Sequence, residues 1–281
     1  MNFYVFVSYK ERLCFSIIYF FFCTFGYGGP IVDNFIDDSD YVYRLNRLLL
    51  SVEQANRQSL ASASEPIYQS LCQQGILHVF ATGHSHMIAD ELFYRCGGLV
   101  PVSPILTDEM MIYNGANAST IFERTSGNAM RILSKFQLRA QDCLLVCSNS
   151  GINPTPIEAV LFAKHLGLHT IGITSVESSR KLTSRHPDNK KLYEVCDIVL
   201  DNCVPYGDGL FRLTDQGGVT GGASTFSSLF LGQRLILKVY NRFMQDKKEL
   251  PIFKSANLHG TDDWNKKMMP LYRERIPAFR A

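Results

Sequence analysis

Short apolar runs alternate with helical stretches through the middle of the chain. Four runs have the length and composition of buried strands, namely Ile76–Thr82, Asp142–Cys147, His169–Thr174 and Asp197–Leu200. A fifth run, Leu99–Leu106, contains two prolines, which favour a sheet edge or an extended segment. The helical stretches that the pattern predicts are Met87–Cys96, Asn117–Phe136, Ile157–Leu166 and Ser224–Met244. The glycines of GGVTGG predict a flexible lead into the last helix.

This alternation indicates the fold class. Strands that are separated by helices pair in parallel through right-handed crossovers, and the helices then cover both faces of the sheet. The sequence therefore predicts an α/β fold: a three-layer α/β/α sandwich with a parallel, doubly wound (flavodoxin-like) sheet over residues 76–246. Ligands of such folds bind beyond the carboxyl ends of the strands, so the loops that follow the apolar runs are the candidates for a binding site.

Residues 31–75 have a different pattern and predict a helical arm. Leu45, Leu48, Leu49 and Val52 repeat at helical spacing, and Pro66 is expected to begin a second helix that ends near Gln74. We expect this arm to pack on the domain or on a second subunit. No helix-turn-helix precedes the domain, which argues against a DNA-binding regulator. The tail, residues 247–281, is expected to pack on the domain or on a neighbouring subunit.

The N-terminus contains an uninterrupted apolar run, Leu13–Phe25, preceded by Lys10, Glu11 and Arg12. A membrane span needs about 17–25 apolar residues, and this run is shorter. It resembles the apolar centre of a secretory signal, although no clean cleavage pattern follows it. Considered with the rest of the chain, residues 1–30 are interpreted as a peripheral extension, and any membrane contact is expected through this run alone.

Composition and charge narrow the function classes. The 281 residues are 46% hydrophobic and carry a formal net charge of +2, so the chain can bury a large core and lacks the strongly basic character of a nucleic-acid binder. The eight cysteines include no CxxC pair and show no disulfide framework. We therefore expect reduced thiols and a cytoplasmic protein.

The loop after the strand Asp142–Cys147 has the strongest chemical character. It places Ser148, Asn149, Ser150, Gly151 and Asn153 between a buried strand and a helix. Hydroxyls, amides and a helix N-terminus are suited to binding a phosphate. No lysine stands at the Walker position, which argues against a nucleoside triphosphate. The alternative is that these residues only cap the helix and form the turn.

Several segments resemble one known family. SNSGINPTPIE is similar to the phosphosugar loop of sugar isomerase (SIS) domains, and Gly83-His84-Ser85 lies where those domains have their first loop. HVFATGHSHMIADELFYRCGGLVPVSPIL, CDIVLDNCVPYGD and SANLHGTDDWN resemble segments of SIS proteins that are similar to phosphoheptose isomerase. The resemblance covers roughly Tyr41 to the C-terminus.

The resemblance implies a phosphorylated sugar as ligand and a homodimer or homotetramer. It implies that Ser148, Asn149, Ser150 and Asn153 contact the phosphate, with Asn153 at a position where the family usually has threonine. From the neighbouring loop, Ser85 would contact the sugar or the phosphate. The complete set of binding residues predicted on these grounds is Gly83, Ser85, His86, Ser148, Asn149, Ser150, Gly151 and Asn153.

The resemblance is weaker for the catalytic residues. An aldose–ketose isomerase needs a base beside the carbonyl and an acid to open the ring. Glu91, His84 and His186 are the candidates, with Glu158 as a further acid. The glutamate and the histidine of phosphoheptose isomerases align near Arg95 and Gln233, which are different residue types. These departures leave two alternatives open beside an isomerase: a non-catalytic phosphosugar sensor, and an aminosugar-phosphate etherase or lyase.

We expect no metal and no cofactor. His84 and His86 form a His-x-His pair, but two rings in a turn need not converge, and the sequence shows no third ligand.

Overall fold

Five parallel strands form the central sheet of the computed structural model, which describes residues 36–255, 257–258 and 260–280. They are β1 Leu77–Ala81, β2 Val102–Ile105, β3 Cys143–Cys147, β4 His169–Thr174 and β5 Ile198–Asp201. Their order is β2-β1-β3-β4-β5, and each pair is parallel. The predicted parallel sheet is confirmed, and the proline-containing run supplies the edge strand β2.

Helices cover both faces of this sheet. The helices in the described part of the chain are α1 Ser39–Cys72, α2 Met87–Leu92, α3 Ala116–Arg124, α4 Asn128–Leu133, α5 Pro154–His165, α6 Val176–Lys181, α7 Leu192–Val195, α8 Ser224–Gln245 and α9 Asp262–Met268. Helices α1, α2 and α8 pack on one face, and α3, α4 and α5 pack on the other. The predicted three-layer sandwich with a helical N-terminal segment is confirmed.

Alternating side chains of the strands divide the core in two. Leu145 of β3 packs toward α1 and α8, whereas its neighbours Leu144 and Val146 pack toward α4 and α5. Successive strand residues point to opposite faces, and both faces are covered, so every residue of β1 and β3 is buried. This arrangement explains why these strands are continuous apolar runs in the sequence.

The arm is one helix, so the predicted break at Pro66 is wrong. Helix α1 continues through Pro66, and residues on both sides of it, Ala63, Ile67 and Tyr68, are buried. A proline inside a helix costs about 3 kcal/mol, and the burial of long apolar side chains, at about 1.5–3 kcal/mol each, outweighs that cost. The arm packs on the domain itself, along α8.

Two other helices are shorter than predicted. Helix α2 ends at Leu92 because Phe93 is extended and Tyr94 adopts a positive φ of 45°. These two aromatic residues turn into a cluster with Phe253 and Phe279 of the tail. The stretch predicted as one helix over Asn117–Phe136 is divided into α3 and α4 at Gly127, whose φ is 87°.

The glycine-rich segment before α8 is a hairpin, where a flexible lead was predicted. Strands β6 Gly209–Arg212 and β7 Val219–Gly222 pair antiparallel. The first turns of α1 hold this hairpin: Arg44 donates to the Leu210 carbonyl at 2.7 Å, and its guanidinium lies 4.2 Å from the Phe211 ring centroid.

The tail packs against the amino ends of the strands, on the side of the sheet opposite the strand carboxyl ends. Ile252 forms an isolated bridge with Leu99, and Phe253, Met268, Ile276 and Phe279 bury Ile76 and Val100. Within the described ranges, no helix combines the length and the hydropathy that a bilayer span requires. The apolar run Leu13–Phe25 lies outside those ranges.

Candidate functional site

A cavity of about 310 Å³ opens at the carboxyl ends of β1 and β3. This is where the doubly wound topology predicts a ligand. Apart from Gly83 and Ile112, the lining residues carry hydroxyl, amide or carboxyl groups and one imidazole. The lining residues are Thr82, Gly83, His84, Ser85, Ile112, Ser119, Thr120, Glu123, Ser148, Asn149, Ser150, Asn153, Asp208 and Ser224.

The loop after β1 forms one wall. Gly83 begins a 3-10 helix over Gly83–His86 with a φ of 56°, a conformation that favours glycine. His84 is exposed and lines the cavity together with Ser85. The His86 ring turns away: its Nδ1 lies 2.6 Å from the Gly83 carbonyl oxygen and its Nε2 lies 3.3 Å from the Asp90 carboxylate. His86 therefore supports the loop.

The loop after β3 is fixed by its neighbours. The Asn149 carbonyl accepts from Ser175 N at 2.9 Å, and the Asn149 side-chain oxygen accepts from Asn202 at 2.9 Å. Gly151 has a φ of 61°, and a Cβ at this position would lie 2.7 Å from Thr174 Oγ1. The predicted binding residues Ser148, Asn149 and Ser150 lie in the cavity wall beside this turn. Gly151 shapes the turn.

Asn153 lies in the wall but is already engaged at both ends of its amide. Its Nδ2 donates to Glu123 Oε1 at 2.7 Å, and its Oδ1 accepts from Arg185 Nη1 at 2.9 Å. A hydrogen bond from Thr82 Oγ1 reaches Glu123 Oε2 at 2.9 Å. The structure therefore connects three segments that are distant in sequence through one carboxyl group.

Glu123 is the acidic group that the sequence analysis missed. Burial raises the pKa of this carboxyl above its ordinary value, against the opposing effect of the Thr82 hydrogen bond and of the Arg124 and Arg185 charges. Shifted carboxyl groups in a cleft are candidates for acid–base chemistry. The sequence pattern of α3 predicts only a surface helix and does not indicate that Glu123 belongs to a site. The topology of the fold reveals it, because α3 crosses the strand ends between the two site loops.

Asp208 is the second carboxyl group in the wall. It lies just before the hairpin, and its oxygens accept from Ser224 N at 2.9 Å and from Ser224 Oγ at 2.7 Å. Asp208 thus caps α8 and closes the base of the hairpin.

The thiol of Cys147 lies directly below the cavity. Burial raises its pKa to about 11, against hydrogen bonds with Ser228 and Ser85. A thiol with this pKa is protonated at neutral pH and is a poor nucleophile. Cys147 therefore belongs to the core beneath the site.

Three predicted acidic or basic residues lie outside the cavity wall. Glu91 accepts from Gln233 at 2.8 Å and pairs with Arg95. The buried His186 accepts from Asp188 N through Nδ1 at 3.1 Å, which stabilises the loop that carries Arg185. Glu158 accepts from Gly127 N at 2.8 Å at the start of α4. Of the three catalytic candidates, only His84 lies in the wall.

No cluster of three or more potential metal-ligating side chains occurs among residues 36–255, 257–258 and 260–280. The cavity wall presents instead the neutral donors of two loops, the carboxyl groups of Glu123 and Asp208, and one exposed imidazole.

Comparison with known proteins identifies the family. Residues 40–175 match the model of the SIS domain. The UPF0309 protein BH3325 of Halalkalibacterium halodurans is 37% identical over 234 residues, which cover 83% of this chain and 97% of that protein. The chain belongs to the UPF0309 family of SIS-domain proteins. A second relative, the UPF0309 protein TTE0306 of Caldanaerobacter subterraneus, is 34% identical over 84% of this chain and 97% of its own length.

Solved structures with a related fold are more distant from this SIS protein. Phosphoheptose isomerase GmhA from Neisseria gonorrhoeae has a TM-score of 0.46 and 14% identity, covering 72% of this chain and 96% of that chain. The Vibrio vulnificus NanR protein complexed with ManNAc-6P has a TM-score of 0.45 and 15% identity, covering 84% of this chain and 70% of that chain. Neither likeness bears on which reaction the UPF0309 chain performs.

Proposed function

We propose that this SIS domain binds a phosphorylated sugar in the cavity and interconverts its aldose and ketose forms. The phosphate would lie on the loop Ser148–Gly151, where hydroxyl groups line the wall and α5 begins one turn further along. Pro154 and Pro156 have no N–H to donate, so the serine hydroxyls carry much of this contact. The neutral donors of this loop are suited to binding a single phosphate group, and the protein as a whole has a near-neutral net charge.

The observation that carries the catalytic part is the partly buried Glu123 carboxyl in the wall. A general base works best when its pKa lies near the operating pH, and burial shifts Glu123 in that direction. The sugar would lie between the phosphate loop and Glu123. We assign Glu123 the role of base in place of Glu91, whose carboxylate contacts Arg95 and Gln233 outside the cavity.

The reaction needs only proton transfers. Glu123 takes the proton from the hydroxyl-bearing carbon beside the carbonyl, and the electron pair of that C–H bond forms an enediolate with the carbonyl group. The proton of the hydroxyl group moves to the former carbonyl oxygen, and the protonated Glu123 returns its proton to the former carbonyl carbon. His84 lies exposed at the cavity, and its imidazole can donate or accept a proton through its ring nitrogens. It would donate the proton that opens the sugar ring.

Turnover of a panel of hexose, heptose and aminosugar phosphates tests this function, with wild type compared with Glu123→Gln. We expect the wild type to interconvert at least one sugar phosphate, and Glu123→Gln to lose at least about 100-fold in kcat, in line with general base catalysis, while calorimetry shows retained binding. Glu177→Gln on exposed α6 is the matched control. Product analysis separates isomerisation from ether cleavage or elimination.

Two outcomes contradict the proposal in different ways. If the folded wild type binds sugar phosphates but turns over none of them, the protein is a sensor. If it binds none of them, the cavity has another ligand.

We also propose a homo-oligomer in the cytoplasm. The exposed side of α8 carries Phe226, Leu237 and Met244, each about half exposed, which would be covered by another subunit. The six cysteines of the described residues are free, which is consistent with a reducing compartment. Light scattering on the purified full-length chain should give the mass of a dimer or tetramer, and the mass of one chain would contradict this.

A further inference from the structure

A continuous chain of hydrogen bonds leads from the loop after α6 to the Glu123 carboxyl. Arg185 Nη1 donates to Asn153 Oδ1 at 2.9 Å, and Asn153 Nδ2 donates to Glu123 Oε1 at 2.7 Å. Arg185 is itself held beside Asn153, because its backbone N donates to the Ile152 carbonyl at 2.9 Å. The two residues are therefore fixed relative to each other by main-chain as well as side-chain contacts.

The chemistry of Arg185 sets the orientation of the Asn153 amide. A guanidinium has only donors, so the Asn153 atom that faces it must be the carbonyl oxygen. The NH2 group then faces Glu123, and the Glu123 oxygen that meets it can only accept. In consequence Oε1 is unsuited to carrying a proton whenever this chain of contacts is formed.

The second carboxyl oxygen has different neighbours. Oε2 accepts from Thr82 Oγ1 at 2.9 Å, and a hydroxyl can reverse its role and accept when the carboxyl is protonated. Oε2 also lies beside Gly83, where an added Cβ would be 3.8 Å from it. The proton-carrying oxygen is thus the one that faces the first site loop and the cavity.

We propose that Arg185 and Asn153 are positioning residues that orient the Glu123 carboxyl and confine its proton exchange to Oε2. The role of Glu123 as catalytic base rests on the proposed function, whereas the orientation of its carboxyl does not. Asn153, which the resemblance assigns to the phosphate, has both polar ends occupied in this arrangement. The amide at this position, where threonine is usual, is long enough to bridge an arginine and a glutamate.

The test is a carbon-13 NMR titration of the Glu123 carboxyl in the ligand-free protein, assigned with Glu123→Gln. Asn153→Leu has a similar volume and no donor, so we expect the Glu123 titration midpoint to rise by about one pH unit, the usual scale for losing one hydrogen bond to a charged form. Arg185→Met should also raise it, and Arg185→Lys should restore most of the wild-type value. Lys190→Gln removes a charge from the same loop and should leave the midpoint in place.

A double substitution separates positioning from simple charge effects. If Arg185 acts through Asn153, Arg185→Met has a smaller effect on the Glu123 midpoint in the Asn153→Leu background than in the wild type. Equal effects in the two backgrounds, or an unchanged midpoint in Asn153→Leu, would overturn the proposal. Should Asn153→Leu not fold, Asn153→Ala takes its place, because it removes both the donor and the acceptor and the midpoint should rise in the same direction.

The same variants distinguish this inference from the proposed function. Calorimetry of the wild type with the sugar-phosphate panel reports on the phosphate loop, whereas the Glu123 midpoint in the variants reports on the orientation of the carboxyl group. Retained sugar-phosphate binding with an unchanged Glu123 midpoint contradicts the positioning role and leaves the proposed function in place. A raised midpoint in a protein that binds no sugar phosphate supports the positioning role and defeats the proposed function.

Discussion

At the residue scale, Glu123 is a carboxyl group placed where its ionised form is disfavoured. Burial raises its pKa, so the folded protein holds this proton more tightly than the unfolded chain does. The sign for stability follows: Glu123 stabilises the fold below its unfolded pKa, and this contribution is lost as the pH rises through the folded value. The folded protein is therefore less stable near neutral pH than it would be with a neutral side chain here.

Glu123→Gln should accordingly raise the melting temperature at about pH 8 and leave it nearly unchanged at about pH 4, where the wild-type carboxyl is itself protonated. The glutamine can still accept from Asn153 through its oxygen and meet Thr82 through its nitrogen. Thermal unfolding at the two pH values measures the effect. A variant that is less stable than wild type at the higher pH contradicts the account of Glu123 burial.

Ser150→Ala tests the phosphate loop. One hydrogen bond to a charged phosphate contributes about 1.5–3 kcal/mol, so the sugar-phosphate affinity should fall by about 10- to 150-fold. Calorimetry with the tightest-binding member of the panel measures this, and Ser134→Ala at the exposed residue that follows α4 is the control. Unchanged affinity of the Ser150 variant would place the phosphate elsewhere.

The sequence indicated the loop residues but not Glu123. Ser148, Asn149 and Ser150 directly follow a buried strand, so their position in the sequence is enough to predict that they lie at the carboxyl ends of the strands. Glu123 is brought to the site by the packing of α3 and is held there by its hydrogen bonds with Thr82 and Asn153. These are tertiary contacts, and the local sequence around Glu123 does not predict them.

At the element scale, the turn after β3 depends on one glycine. Gly151→Ala should destabilise the protein by about 1–3 kcal/mol, because φ is positive and the added Cβ would lie 2.7 Å from Thr174 Oγ1. Gly127→Ala is a matched control, since its φ is also positive but no atom lies within 4 Å of an added Cβ. Urea unfolding should show the larger loss for Gly151→Ala. Equal losses would mean that the turn tolerates the side chain.

The elements that the sequence predicted correctly are those whose pattern is set by burial. The strands β3 and β4 are buried on both faces, and their apolar runs end within one residue of the observed bounds. The errors occur where tertiary contacts override local preference. Packing of Ile67 and Tyr68 carries α1 through Pro66, and contacts of Phe93 with the tail end α2 early.

At the scale of the whole molecule, the tail is held by a buried charge cluster on the side opposite the cavity. Asp142 accepts from Ile76 N at 2.9 Å, lies 3.3 Å from His78 Nε2 and pairs with Arg275 of the tail. Burial alone would raise the pKa of Asp142, but the contacts with His78, Arg275 and the Arg139 backbone hold it below its usual value. Burial lowers the pKa of His78. Both groups make the fold lose stability as the pH falls from neutral.

Arg275→Met should destabilise the protein by about 3 kcal/mol, because it leaves the buried Asp142 charge without its cationic partner. The tail, residues 247–280, should then be cut by proteases faster than in the wild type. Arg280→Met is the control, since Arg280 is exposed and donates to the backbone carbonyls of Arg273 and Glu274 in the tail itself. A tail that stays protected in the Arg275 variant would show that the apolar cluster around Phe253 suffices.

The predicted division into an extension, an arm, a domain and a tail stays a prediction. Within the described residues, α1 and the tail both contribute to the buried core, so a cut at residue 75 or 247 would expose apolar surface. The near-neutral net charge of +2 is consistent with a site that binds one anion through hydroxyls and amides.

The central claim is that a sugar phosphate lies between the Ser148–Gly151 loop and Glu123. A crystal structure of the full chain with the tightest-binding sugar phosphate of the panel tests it most directly. We expect the phosphate within hydrogen-bonding distance of Ser150, and Glu123 Oε2 within about 3.5 Å of the carbon beside the carbonyl, the separation of a productive complex. A phosphate bound away from this loop, or a sugar carbon that faces another acidic side chain, would contradict the claim.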